Sequence, residues 1–241
     1  ALAEKEGAWK AKLEEKVPEK VYTSLEQAFC KAFALVFEKG TGIIEKSYDR
    51  DALEKDYAVR DFAVQVKGDR RTLRRFPKEN RGANAKNLLL STVEGVGLGA
   101  LGIGLPDIVL FVGMLLKGIY ETALRYGFPY EDPAEQMWIL RMMETALTKG
   151  PLWTEKNQGV DAFLYQGLME EPTKEALSQQ IQATAQTFAM DMLVLKFIQG
   201  LPLVGALGGA ANPVYYRRVL NYVQLKYHKR YLYQKRREMA P

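Results

Sequence analysis

Cysteine and histidine are nearly absent from this chain, which has one of each in 241 residues. A single cysteine excludes an internal disulfide and any zinc site built from several thiolates, and a single histidine excludes a His-rich metal centre. We therefore expect no metal and no cofactor. The first 20 residues lack the apolar stretch of a secretory signal. Together with the unpaired Cys30, this composition predicts a protein of the reducing cytoplasm.

Signals for β-structure are also missing, since apolar and polar residues do not alternate and no Asn-Gly or Asp-Gly pair occurs. Apolar residues recur at helical spacing instead, after residues that typically start helices. Asp132-Pro133 with Glu135 predicts an N-cap, a first-turn proline and a capping-box glutamate. Asn212-Pro213 repeats the cap and proline before the last helix.

No linker rich in Ser, Gly or Pro divides the chain. The sequence therefore predicts one all-α domain over residues 1–241, with N-terminal helices in residues 1–48 and the core in residues 49–241. Residues 49–76 predict a second, more charged helix that carries Leu53, Tyr57, Phe62, Val66 and Leu73.

Catalytic motifs are lacking as well. Neither a Gly-x-Ser-x-Gly nucleophile motif nor a phosphate-binding P-loop occurs. Gly97, Gly99 and Gly102 match Gly-x-Gly-x-x-Gly, but a dinucleotide site needs a preceding strand and a βαβ unit, which the pattern does not predict. The sequence names no catalytic residue.

Two segments are rich in glycine and nearly free of charge. Residues 88–116 carry only Glu94 and Asp107 as charges, and residues 197–216 carry none. Both segments place small residues on one helical face, where a second helix backbone approaches closely. We expect two helix–break–helix units packed against each other. The small residues of this packing are Ser91, Gly95, Gly99, Gly102, Gly205, Gly208 and Gly209.

Three placements are open for these glycine-rich units. They form a buried core, insert into a membrane interface as hairpins, or span the membrane. The uncharged runs 95–106 and 108–116 are each shorter than the roughly 20 residues that a spanning helix needs.

Positive charge is concentrated in two clusters. The first basic cluster, residues 67–86, has eight basic and two acidic residues, and the second, residues 226–237, has six basic residues and no acid. The chain as a whole carries only +5, so the remainder is acidic. Such clusters contact anionic lipid or nucleic acid, or form a solvated helix face. The residues predicted to contact an anionic surface are Arg70, Arg71, Arg74, Arg75, Lys229, Arg230, Lys235, Arg236 and Arg237.

Carboxylates beside the glycine-rich segments are the candidate ligand-binding groups. A carboxylate in apolar surroundings is costly unless a partner satisfies it. Glu94, Asp107 and Asp191, with Asn212, could line a cavity between the hairpins and bind a polar ligand. For Asp107, helix capping after Pro106 is the competing interpretation.

The order of these features resembles the EcsC family. The resemblance covers residues 50–235. It rests on Glu94-Gly95, the glycine run, Pro106-Asp107, Leu115-Leu116, Tyr126-Gly127, Glu135, residues 202–206, Asn212 and the Tyr/Arg-rich final helix. Members typically have Ala before this Asp, where this chain has Pro106. The family consists of helical bacterial proteins, encoded in some bacteria beside an ABC transporter. The resemblance implies membrane-associated or transporter-linked biology and supplies no catalytic residues.

We therefore expect a non-enzymatic accessory protein of the cytoplasm that associates peripherally with an anionic membrane, with ABC transporter subunits as further partners. The alternative is a soluble enzyme or small-ligand-binding protein with the carboxylate-lined cavity described above. Nucleic acid is the least favoured partner, because no nucleic-acid-binding motif accompanies the charge.

Overall fold

The computed structural model describes residues 19–37, 41–67, 105–166, 171–198 and 212–238. These residues form eight helices and no strand, which confirms the all-α prediction. Within these ranges, no helix has both the length and the apolar character needed to cross a bilayer. The helices are α1 (Glu19–Leu35), α2 (Thr41–Glu45), α3 (Arg50–Lys67), α4 (Leu105–Arg125), α5 (Pro133–Leu147), α6 (Pro151–Gln166), α7 (Lys174–Ile198) and α8 (Asn212–Glu238).

Two helices organise the packing. Helix α4 contacts α1, α2, α3 and α8, and α5 contacts α6, α7 and α8. Helices α1 and α7 join the two groups through a cluster of rings, in which Phe188 lies 5.6 Å from both Phe29 and Phe33 and 6.2 Å from Phe111. One apolar core therefore runs from α1 to α8.

Helices α4 and α8 run in the same direction. Phe111 contacts Tyr215 near their beginnings, with ring centroids 6.3 Å apart, and Tyr126 contacts Tyr231 near their ends at 6.2 Å. Between these contacts the helices approach closely at Gly118, where an added Cβ would lie 2.8 Å from Leu220 Cδ1. Helices α4 and α8 begin at the same end of the bundle, which we call the starting end.

The glycine-rich segments lead into the starting end. Residues 88–104 and 199–211, with all seven predicted small residues, lie outside the described residues. The first segment connects directly to α4, and the second connects α7 to α8. The predicted packing of one unit against the other stays a prediction. The fold does bring together the helices that follow them.

One local prediction, the capping box at the start of α5, is wrong. Asp132 does occupy the N-cap position and Pro133 begins the helix, as predicted, but the Asp132 side chain makes no capping hydrogen bond. Glu135 does not close a capping box, because its carboxylate turns inward to α8. On α3, Val64 is buried, whereas Phe62 and Val66 are 67% and 65% exposed. The apolar residues of α3 therefore lie on two faces of the helix.

Candidate functional site

Helix α8 carries the second basic cluster, and many of its cations are held by carboxylates of other helices. Lys226 Nζ donates to Asp161 Oδ1 at 2.7 Å and to Asn157 Oδ1 at 2.8 Å, both on α6. Lys229 Nζ lies 3.0 Å from the other oxygen of Asp161. Burial alone would raise the pKa of Asp161, but the two ammonium groups outweigh it and lower that pKa. Both lysines therefore dock α6 on α8.

Glu135 of α5 is the most deeply buried of these carboxylates, with 1% of its surface exposed. Arg230 Nη1 donates to both of its oxygens, at 2.9 and 2.7 Å, and the Tyr227 hydroxyl donates at 2.7 Å. Burial raises the pKa of Glu135, opposed by Arg230 and Tyr227. The Arg230 guanidinium also stacks 4.0 Å from the Phe128 ring centroid and 5.1 Å from that of Trp138.

Asp61 of α3 is held in the same way. Tyr231 donates its hydroxyl to Oδ1 at 2.9 Å, and Lys235 Nζ donates to Oδ2 at 2.9 Å. One turn earlier, the rings of Tyr57 and Tyr231 meet edge to face at 6.4 Å. Contacts that come later along α3 also come later along α8. The two helices therefore run in the same direction, and their last turns lie at the same end of the bundle.

Three carboxylates on three helices are thus each bound by two α8 residues three or four positions apart. That spacing places the two donors on one helical face, so each pair meets a single partner. The sequence-predicted contacts Lys229, Arg230 and Lys235 belong to these pairs. Arg236 and Arg237, the other two predicted contacts on α8, are exposed.

The contact at Asp61 brings Lys67, where the first basic cluster begins, to the same end of the bundle as the last residues of the second cluster. Helix α3 ends at Lys67, the first residue of the first cluster, and Asp61 lies less than two turns earlier. Lys235, bonded to Asp61, lies directly before Arg236 and Arg237. The exposed side of α3 adds Val59, Phe62 and Val66, which are 70%, 67% and 65% exposed. We call this set, Val59, Phe62, Val66, Lys67, Arg236 and Arg237, the basic end.

A shallow cleft of about 450 Å³ opens beside the basic end. It lies between α6, α8 and the loop that joins α4 to α5. Its lining residues are Phe128, Leu164, Arg230, Tyr233, Gln234, Arg237 and Glu238.

Three of the four predicted ligand-binding residues lie toward the opposite end of the bundle. Asp107 lies in the first turn of α4, and Asn212 is the first residue of α8. Asp191 is engaged by Lys149 and Arg218, at 3.3 and 3.6 Å. Glu94 lies outside the described residues, as do Arg70, Arg71, Arg74 and Arg75. Across the ranges that the structure covers, His, Cys, Asp and Glu form no cluster of three or more placed to hold a metal ion.

Sequence reasoning missed Asp61, Glu135 and Asp161. Glu135 lies three residues after Asp132 and therefore matched a capping box. That local interpretation gave no indication of its long-range partners. The donors lie 65 to 174 positions away along the chain. The one usable signal was the i, i+3 and i, i+4 spacing of donors on α8, which places the members of each pair on one helical face.

Comparison with known proteins gives a family. The sequence model of the EcsC protein family matches residues 1–232. The protein named Protein EcsC from Bacillus subtilis (strain 168) is 24% identical over 204 residues, covering 83% of this chain and 75% of that protein. No solved structure matches this chain.

Proposed function

The chain belongs to the EcsC protein family, and from this premise we propose that it is a non-enzymatic accessory protein that binds the cytoplasmic face of an anionic membrane through its basic end. One observation carries the proposal. The Asp61–Lys235 contact joins the end of α3 to the end of α8, where the two basic clusters begin and finish. Lys67 and Arg237, exposed cations 170 positions apart in the sequence, therefore share one end of the molecule.

The electrostatic part of the proposal rests on the cations that have no role inside the protein. Four of the six cations in the second cluster are engaged by Asp61, Glu135 and Asp161. Arg236 and Arg237 are exposed at the end of α8, and Lys67 is exposed at the end of α3. A basic residue close to an anionic leaflet contributes about 1 kcal/mol. These exposed cations, with the rest of the first cluster, supply the attraction.

The apolar part of the proposal rests on α3. Val59, Phe62 and Val66 follow an i, i+3, i+7 spacing, so they share one face that points away from α4. A large apolar side chain that stays in water loses about 1.5–3 kcal/mol relative to burial. Insertion of these side chains among lipid headgroups would recover part of this free energy of burial. Interfacial helices with neighbouring cations bind membranes in this way.

The link to an ABC transporter or a secretion process is the second part of the proposal. Family members are encoded beside an ABC transporter in some bacteria, and a protein on the membrane surface would meet transporter subunits there. The alternative, an enzyme or ligand-binding protein, stays a prediction. This alternative depends on three carboxylates that would line a cavity, and one of them, Asp191, already has two cationic partners.

The test is flotation of the purified protein with vesicles. We expect flotation with vesicles that contain phosphatidylglycerol, little with neutral phosphatidylcholine vesicles, and a large loss at high salt. The variant Arg236→Gln/Arg237→Gln should bind about 30-fold more weakly, since two cations contribute about 2 kcal/mol. Phe62→Ser/Val66→Ser should remove the binding that survives salt.

The matched charge control is Arg141→Gln/Arg217→Gln, which removes two exposed arginines away from the basic end. The matched apolar control is Leu152→Ser, since Leu152 is exposed on α6. Both controls should bind like the wild type. Equal losses in test and control variants would show that the basic end is not the contact surface, and absence of flotation would overturn membrane binding altogether.

A further inference from the structure

The cleft beside the basic end holds an arginine that is fixed in place while part of its guanidinium is unused. Arg230 makes both bonds to Glu135 with Nη1 alone, so neither Nε nor Nη2 is taken by that carboxylate. Its planar group is clamped by the Phe128 and Trp138 rings. One fifth of the side chain is exposed, and it lines the cleft. A guanidinium held this way is preorganised for a planar, bidentate contact with an oxyanion.

The remaining walls supply a second cation and apolar surface. Arg237 and Gln234 line the cleft from the next turns of α8, and Tyr233 packs edge to face on Tyr165 at 5.1 Å. Phe128 and Leu164 add carbon surface on the other side. The cleft thus combines donors for an anion with room for the carbon atoms attached to it.

The charges around the cleft indicate how much negative charge it accepts. Glu135 balances Arg230, and Glu238 receives Lys235 Nζ at 2.8 Å and Gln234 Nε2 at 3.0 Å. Among the described residues, no carboxylate pairs with Arg237, so this cation is available to a ligand. A ligand group with one negative charge would pair with Arg237, whereas a doubly charged phosphate monoester would place its second charge close to Glu238.

We propose that this cleft binds the phosphodiester group of a lipid headgroup, with Arg230 and Arg237 contacting its oxygens. The proposal rests on the membrane association proposed above and deepens it, because it adds recognition of one chemical group to a general attraction for negative charge. A phosphodiester carries one negative charge, and its glycerol carbons fit beside Phe128, Leu164 and Tyr233.

The test compares vesicles of equal charge that differ in phosphate. One set contains phosphatidylglycerol and the other oleate, each in a phosphate-free digalactosyl lipid. We expect the wild type to bind the first set about tenfold more tightly, a difference of about 1.4 kcal/mol. Arg237→Gln should lose this preference. Arg236→Gln is the matched control, because it removes the same charge from a neighbouring exposed position outside the cleft lining, and it should keep the preference.

The outcomes separate the two proposals. Equal binding to both vesicle sets, or equal effects of the two arginine variants, would overturn the cleft proposal and leave membrane association standing. Binding to neither set would overturn both. A third arm measures the thermal stabilisation of the protein by soluble glycerophosphoglycerol at constant ionic strength. Stabilisation that needs Arg237, without any vesicle preference, would assign the site to free phosphodiesters and overturn the lipid source.

Discussion

At the scale of single residues, the second basic cluster serves mainly to hold the fold together. Lys226 shows this best, because its ammonium group is buried between α6 and α8 beside Asp161. Burial lowers the pKa of Lys226, although Asp161 opposes this. A buried cation of this kind depends on its partner, since removing one member of a buried pair leaves an uncompensated charge.

Asp161→Asn should therefore destabilise the protein by about 3 kcal/mol near neutral pH. The pKa of Asp161 is lowered below 3.8 in the folded state, so its stabilising effect is present above about pH 5 and is lost as the pH falls through the folded pKa. The difference between wild type and variant, measured by urea unfolding, should shrink from pH 6 to pH 3.

Glu155→Gln is the control for this prediction, because it changes an exposed carboxylate on the same helix. We expect it to alter stability by less than about 0.5 kcal/mol. Adding Lys226→Met to Asp161→Asn should recover part of the loss. A difference that stayed constant between pH 6 and pH 3 would contradict the ion pair.

At the scale of elements, α3 depends on one glycine for its position. Gly127 follows α4 with φ of +78°, and a Cβ there would lie 2.3 Å from the Tyr57 ring of α3. The left-handed conformation and the close ring both require the absence of a side chain. Tyr57 in turn contacts Tyr231, so the Gly127 turn helps to place α3 against the end of α8.

Gly127→Ala should cost about 2 kcal/mol or more, through the strained backbone and displacement of Tyr57. Gly159→Ala is the matched control. Gly159 is helical and an added Cβ there meets nothing within 4 Å, so alanine should stabilise α6 by up to about 1 kcal/mol. Chemical denaturation of both variants checks the prediction, and equal stability of the two would contradict it.

At the scale of the whole molecule, the length of α8 separates the point where the chain leaves the second glycine-rich segment from the basic end. The glycine-rich segments lead into the starting end, whereas the basic end lies at the close of α8. Helix α8 has 27 residues, which corresponds to about 40 Å at 1.5 Å per residue. Contact through the basic end therefore does not require the glycine-rich segments to enter the bilayer.

The continuous core predicts one cooperative unfolding transition. Far-ultraviolet circular dichroism reports helix content, and the fluorescence of buried Trp138 reports packing between α5, α6 and α8. Because one apolar cluster spans α1 to α8, both signals should change at the same temperature. Two separated transitions would contradict the single domain that the sequence predicts for residues 1–241.

The sequence by itself determined the class of fold, the starts of α5 and α8, and the family. These are local or compositional properties: helical periodicity, Asp132-Pro133 and Asn212-Pro213, and the order of glycine motifs. They can be identified without knowledge of distant contacts, because a helix is built from neighbours three and four positions apart.

Only the tertiary structure decided which cations of α8 face inward and which face solvent. Lys235 and Arg237 are both basic and two positions apart, yet one is bound to Asp61, 174 positions away, and the other is exposed. The same holds for Glu135. Its spacing from Asp132 indicated a helix cap, whereas in the structure Arg230 and Tyr227 stabilise its buried carboxylate. Burial of a charge depends on a partner brought close by folding, and composition does not record that partner.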